Sequence, residues 1–184
     1  MNVVCTEIPE VVIIEPKVFG DQRGFFLESF QAGRYACLGM TRPFLQDNLS
    51  RSARGVLRGM HIQYPKPQGK LVTVLRGHVL DVAIDVRKNS PTFGKHVAVE
   101  LSEENRRQLW IPRGFAHGFR VLSEVADFFY KCDEYYAPDA QKVIRWDDPE
   151  LAIEWGNGRP TLSERDAEGQ CLAEVADLPN YAVK

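Results

Sequence analysis

The chain has few cysteines at useful spacing, little net charge, no long apolar run and no glycine-rich phosphate loop. Each shortage removes a class of function. The four cysteines, Cys5, Cys37, Cys132 and Cys171, form neither a Cys-x-x-Cys pair nor a framework spacing. They argue against a disulfide-built secreted domain and are expected as reduced thiols, packed as small hydrophobes in a cytosolic protein. No apolar segment approaches the roughly 20 residues that span a bilayer, and residues 1–7 lack the basic and apolar stretches of a secretory signal. A soluble, cytoplasmic protein with no membrane partner is the expectation. A net charge of −2 offers no general pull on nucleic acid. With no Walker or Rossmann glycine signature, any nucleotide has to be held by side chains. The 184 residues carry no internal repeat, linker or low-complexity segment and suit a single domain over 1–184.

What is present is a succession of short β-prone runs separated by turn residues. Val11–Ile14, Phe25–Phe30, Phe44–Ser50, Leu71–Leu75, Val79–Val86, His96–Leu101 and Val125–Cys132 read as strands. Gln108–Leu122 reads as two more around a Pro/Gly turn, and Phe19–Gly24 reads as a turn. Gln31–Gly39 holds a short helix, and Ser163-Glu-Arg-Asp166 caps a final one after a mostly irregular tail. Many short strands at close intervals predict an all-β sandwich or barrel.

The chain is organised around Ser52–Val72, which sets two arginines, a histidine and a lysine among glycines. Strand parity puts Leu57, Gly59, His61 and Gln63 on one face and Arg58 on the other. For Arg58 and His61 to line one pocket the strand has to bulge, and Gly59 is the residue that tolerates it. Lys70 arrives after the Tyr64–Gly69 turn, so a base and a cation face each other across a hairpin. A carboxylate is needed to orient His61, and Asp81, Asp85 and Asp166 are the candidates. His117 follows the Pro112-Arg113-Gly114 turn. With His61-x-Gln63 it hints at a metal, but a catalytic metal usually takes three protein ligands, and the usual His-x-His-plus-Glu grouping is absent because Gln63 holds the second position. Tyr130 is a phenol on a Phe/Ala strand, able to donate a proton and recover it. Arg23, Arg58 and Arg113 with Gln46 and Asn48 are donors suited to phosphates and a base edge. Phe26 and Tyr136 could sandwich a planar ring.

These residues assembled, the chain closely resembles the dTDP-4-dehydrorhamnose 3,5-epimerase family. The resemblance rests on Phe19–Glu28, Gln46-Asp-Asn48, Gly55–Gln63, Gln68–Val72, Trp110–Phe119, Tyr130-Lys131, Trp146–Pro149 and Leu162–Asp166, in order along the chain. It implies a double-stranded β-helix (jelly-roll, cupin) barrel with a few short helices and a dTDP-linked 4-keto-6-deoxy sugar as substrate. It also implies proton abstraction α to the C4 ketone without metal or other cofactor. By the same resemblance His61 is the base, Asp166 its orienting carboxylate, Lys70 the cation at the C4 oxygen and Tyr130 the acid on the opposite ring face. His117 is implied to contact the sugar, Arg58 and Arg165 the diphosphate, and Gln46, Asn48, Tyr136 and Gln141 the nucleotide portion. The family implies a homodimer with exchanged N-terminal strands, in which Arg23, Phe26 and Glu28 reach the neighbouring subunit's site. Arg165, Gln141, Ile62 and Leu49 depart from the commoner residues lysine, glutamate, an aromatic and histidine.

Overall fold

The computed structural model describes residues 1–182. In chain order the strands are β1 (Asn2–Cys5), β2 (Val12–Glu15), β3 (Val18–Asp21), β4 (Gly24–Leu27), β5 (Gln46–Ala53), β6 (Leu57–Gln63), β7 (Lys70–Arg76), β8 (His78–Asp85), β9 (His96–Ser102), β10 (Gln108–Ile111), β11 (Phe115–Val121), β12 (Val125–Cys132) and β13 (Gln141–Val143). The helices are α1 (Ala32–Ala36) and α2 (Glu164–Ala167), with two short 3-10 turns at Pro138–Ala140 and Leu172–Glu174. A six-stranded sheet in the order β1-β2-β10-β7-β12-β5 faces a five-stranded sheet in the order β13-β6-β11-β8-β9. This is the all-β jelly-roll architecture that the resemblance implied.

The alternation of side chains builds the core. Val72 and Val74 on β7, Leu109 and Ile111 on β10, and Phe128 on β12 meet Val79, Val99 and Phe119 from the opposite sheet. Fully burying side chains of this size contributes about 1.5–3 kcal/mol each. The five-stranded sheet is also covered from outside. Leu57, Met60, Val82 and Ile84 pack under Ile144, Trp155 and Leu178 of the tail. That second cover explains why β8 and β11 read as nearly continuous buried runs. On the six-stranded sheet, α1 and its flanks lay Tyr35 and Met40 over Trp110 and Leu71.

Several boundaries differ from the reading of the sequence. Phe19–Gly24 is mostly strand, because Val18–Asp21 pairs with Gly24–Leu27 and leaves only the tip as the turn. The pairing ends at Leu27, so residues 28–30 leave the strand, and Phe30 packs against Tyr35 and Phe44. The strand expected at Phe44–Ser50 starts at Gln46 and runs on to Ala53, following its partner β12. Of the cysteines expected as packed hydrophobes, only Cys132 is fully buried; Cys5 and Cys37 are exposed.

The tail is held by one buried cation. Arg120, 6% exposed, donates from Nη1 to the carbonyl of Trp155 at 2.9 Å and from Nη2 to those of Asn157 and Gly158 at 2.7 and 3.0 Å. Replacing it by methionine leaves those carbonyls unpaired, and the expected cost is about 3 kcal/mol, read as a fall in the urea midpoint.

Candidate active site

The β6 strand does bulge at Gly59. His61 pairs with His117 and Arg58 with Phe119, so three steps on β6 match two on β11. Gly59 takes a φ of +132°, and a Cβ there would lie 2.5 Å from the Gly118 Cα, so glycine is required on both grounds. The bulge shifts the parity: Arg58 and His61 share the face between the sheets. Leu57, assigned by strict alternation to the His61 face, instead packs with Met60 and Ile62 on the outer side.

Cross-strand rows on the six-stranded sheet supply the other wall. Gln46, Cys132 and Lys70 are paired across β5, β12 and β7, and Asn48 and Tyr130 are paired one inward step along. Across from them stand His61 and His117 on the five-stranded sheet. Gln46, Asn48, His61, Lys70, Tyr130 and Cys132 line a cavity of about 320 Å³, closed at its rim by Gln68, Tyr136 and Gln141.

Among the three carboxylates considered for His61, the geometry separates their partners. Asp166 Oδ1 lies 2.6 Å from His61 Nε2. It is placed there by α2, whose cap is Ser163, with Oγ accepting the Asp166 N–H at 3.1 Å. Asp81 instead lies 2.9 Å from His117 Nε2, and Asp85 is taken by Arg87, Ser90 and Thr92. Burial pushes the Asp166 carboxyl up. Hydrogen bonding and charge from His61, with further hydrogen bonds from Ser163 and the Gly59 N–H, outweigh it and hold the group below its ordinary value. An ionised Asp166 is placed to accept a hydrogen bond from His61 Nε2–H, and the tautomer with that proton carries its lone pair on Nδ1.

The remaining groups are tuned by burial. It lowers the pKa of the Lys70 amine, against the opposing pull of Cys132 and Asp81. It pushes the Tyr130 phenol up, so the phenol stays protonated. It also keeps His117 below the usual imidazole range despite Asp81. The cavity thus holds a carboxylate-backed imidazole on one wall and an amine and a phenol on the other. That is equipment for moving a proton on and off carbon beside a carbonyl.

The rim is a hydrogen-bonded set. The Tyr136 hydroxyl donates to Gln141 Oε1 at 2.7 Å and accepts from Arg165 Nη1 at 3.3 Å, while the Tyr136 N–H donates to Gln46 Oε1 at 2.9 Å. Arg58 lies beside the cavity, its Nε donating to Ser52 Oγ at 3.0 Å. Gln63 donates to the carbonyls of Lys66 and Tyr135 and accepts the Ala137 N–H, tying the rim loops together.

Other candidates are not brought to this cavity. Arg113 is paired with Asp133 on the far side of the sheet. Arg23 is bound to Asp21 at the tip of the β3–β4 hairpin, and Glu28 to Arg34. Phe26 is 68% exposed on the same hairpin, away from Tyr136, so the two do not sandwich a ring within one protomer. Reading the residues missed Cys132 as a cavity residue and Asp81 as the partner of His117. Parity on β12 and β8 carried both signals, since each shares a face with residues already singled out.

The family profile described as dTDP-4-dehydrorhamnose 3,5-epimerase matches residues 5–174. The dTDP-4-dehydrorhamnose 3,5-epimerase of Shigella flexneri is 55% identical over 177 residues, covering 95% of this chain and 98% of that protein. The dTDP-4-dehydrorhamnose 3-epimerase of Streptomyces niveus is 40% identical over 92% of this chain and 84% of its own length. Among solved structures, the dTDP-6-deoxy-D-glucose-3,5-epimerase of Legionella pneumophila, in complex with dTDP-4-keto-L-rhamnose, superposes with a TM-score of 0.97 at 55% identity, covering 99% of both chains. Profile, sequence and fold agree over nearly the whole length, and the chain belongs to the dTDP-4-dehydrorhamnose 3,5-epimerase family.

Proposed function

We propose that this chain inverts C3 and C5 of dTDP-4-dehydro-6-deoxy-D-glucose without a cofactor, giving dTDP-4-dehydro-L-rhamnose. The observation that carries the reading is the placement of the imidazole–carboxylate pair, His61 with Asp166, on one wall of the cavity and of Lys70 and Tyr130 on the other. The protons at C3 and C5 are acidic because each lies α to the C4 ketone. His61, with Nε2–H held by Asp166, takes the proton through its free nitrogen. The Lys70 ammonium stabilises the enolate oxygen at C4, where charge develops in the transition state. Tyr130 returns a proton from the opposite ring face, so a base on one wall and an acid on the other give inversion rather than simple exchange. His117 contacts the sugar. Arg58 and Arg165 hold the diphosphate, and Gln46, Asn48, Tyr136 and Gln141 the nucleotide portion.

The working unit in this reading is a cytoplasmic homodimer. The β3–β4 hairpin leaves Phe19, Phe25 and Phe26 more than half exposed, at 53%, 59% and 68%. A two-stranded ribbon of this kind gains little stability alone. It is suited to lie against a second copy and bring Arg23, Phe26 and Glu28 to that copy's cavity, alongside exchanged N-terminal strands.

The test is proton NMR of the purified protein with this substrate in D2O. Deuterium at both C3 and C5 is the expected result. Deuterium at one carbon alone would make the chain a single-position epimerase, and none at either would overturn the assignment.

A further inference from the structure

One buried ion pair plays no part in the chemistry above, yet it ends beside Lys70. Arg113, in the turn between β10 and β11, donates from Nε to Asp133 Oδ2 at 3.0 Å and from Nη2 to the Asp133 carbonyl at 2.9 Å. Asp133 follows the last residue of β12, and its side chain is 5% exposed. Its Oδ1 accepts the Gly69 N–H at 2.7 Å, and its own N–H donates to the Gly69 carbonyl at 3.1 Å. Gly69 is packed without slack: a Cβ there would lie 2.6 Å from the Trp110 ring and 2.8 Å from Asp133 Oδ2.

Lys70 is the next residue and the first of β7, with Cys132 and Ile111 as its cross-strand partners. Its buried amine forms no salt bridge within 4.0 Å among the described residues, the Asp81 carboxylate acting on it only from farther off, so no ion pair fixes the direction of the side chain. That direction has to come from the backbone. The first residue of a strand is where pairing opens most readily, unless something outside the ladder ties it down. Here the tie is the Asp133 carboxylate, held by Arg113.

Arg113 and Asp133 do not line the catalytic cavity. They border a separate hollow on the other side of the sheet, with Trp110 and Arg42. From these contacts we infer that Arg113 and Asp133 are positioning residues for Lys70, acting through the Gly69 peptide. The inference rests on the function proposed above, in which Lys70 meets the C4 oxygen. The same turn, Pro112-Arg113-Gly114, leads into β11 and His117, so the clamp joins the ends of three strands that carry site residues.

The effect should fall on the transition state. A lysine displaced by an ångström still admits substrate but no longer meets the oxygen on which charge develops. Arg113→Ala is expected to lower kcat by about 10–100-fold with KM changed less than about threefold, and Arg113→Lys to recover part of the loss. Amide hydrogen exchange at Gly69 is expected to quicken in Arg113→Ala. If that variant does not fold, Asp133→Asn takes its place, since it keeps an acceptor for the Gly69 N–H while weakening the hold of Arg113.

The inference is overturned if Gly69 exchange quickens while kcat per folded molecule stays within about twofold of wild type, whatever the melting temperature does. It is equally overturned if neither quantity moves. A wild-type protein that leaves the substrate protons unexchanged fails the functional reading first, before any variant is compared, and this inference goes with it.

Discussion

His61→Asn is expected to lower kcat by about 10²–10⁴-fold, the range that a positioned general base supplies. Asparagine keeps a polar group at about the position of Nδ1 but is too short to replace Nε2 at Asp166, and it has no titratable nitrogen to accept a proton from carbon. Binding of dTDP, measured by calorimetry, is expected to stay within about threefold of wild type, because Gln46, Asn48, Tyr136, Gln141 and Arg165 lie on other elements and Arg58, on β6, is held separately by Ser52. Incorporation of solvent deuterium at both carbons should fall together, since one imidazole is asked to serve both. Deuterium still entering at one carbon at the wild-type rate would show a second base, and His117, paired with His61 across β6 and β11, would be the first to examine.

Lys70→Met is the second large effect, with kcat lower by about 10²–10³-fold, the loss seen when one preorganised oxyanion donor is removed. The substitution keeps an unbranched apolar stem, so Val72 and the neighbouring strands can hold their packing. The pH profile gives an independent reading. Burial lowers the Lys70 pKa below that of an ordinary lysine, and only the ammonium stabilises the enolate. Wild-type kcat is therefore expected to fall as pH rises through a value under 10.5, the ordinary lysine value. The residual activity of Lys70→Met should lack that limb. A limb of unchanged position in the variant would assign the titration to another group, and the Tyr130 phenol, which acts in its protonated form, would be the first to examine.

The two walls of the site differ in how plainly they could be read. His61, Lys70 and Tyr130 are legible because each interrupts an apolar run with a group that a core does not need. The bulge at Gly59 was legible too, but only as a condition: Arg58 and His61 could share a pocket if the strand gained a residue. Parity alone put Leu57 on the wrong face, because a single inserted residue reverses every side chain beyond it. The hairpin at Val18–Leu27 reads in sequence as a turn followed by a strand, since its phenylalanines, glycines and charges do not alternate.

Composition, spacing and alternation by themselves determined that the chain is a set of short antiparallel strands. They also determined that His61, Lys70 and Tyr130 stand within or beside β-prone runs, and that no glycine-rich loop stands ready for phosphate. These properties are local, set by period-two alternation and turn residues. Residue pattern leaves open which carboxylate meets His61; the resemblance implies Asp166, and the tertiary structure lays Asp166 against it. Asp81, Asp85 and Asp166 are equivalent as sequence, and the choice depends on α2 being laid against β6 from more than a hundred residues away. It also decided that Arg113 is spent on Asp133 rather than on a ligand, and that the tail covers the outer face of β6, β8 and β11. Such pairings are set by which surfaces the two sheets bury. That is a property of the closed barrel, which no window of sequence contains.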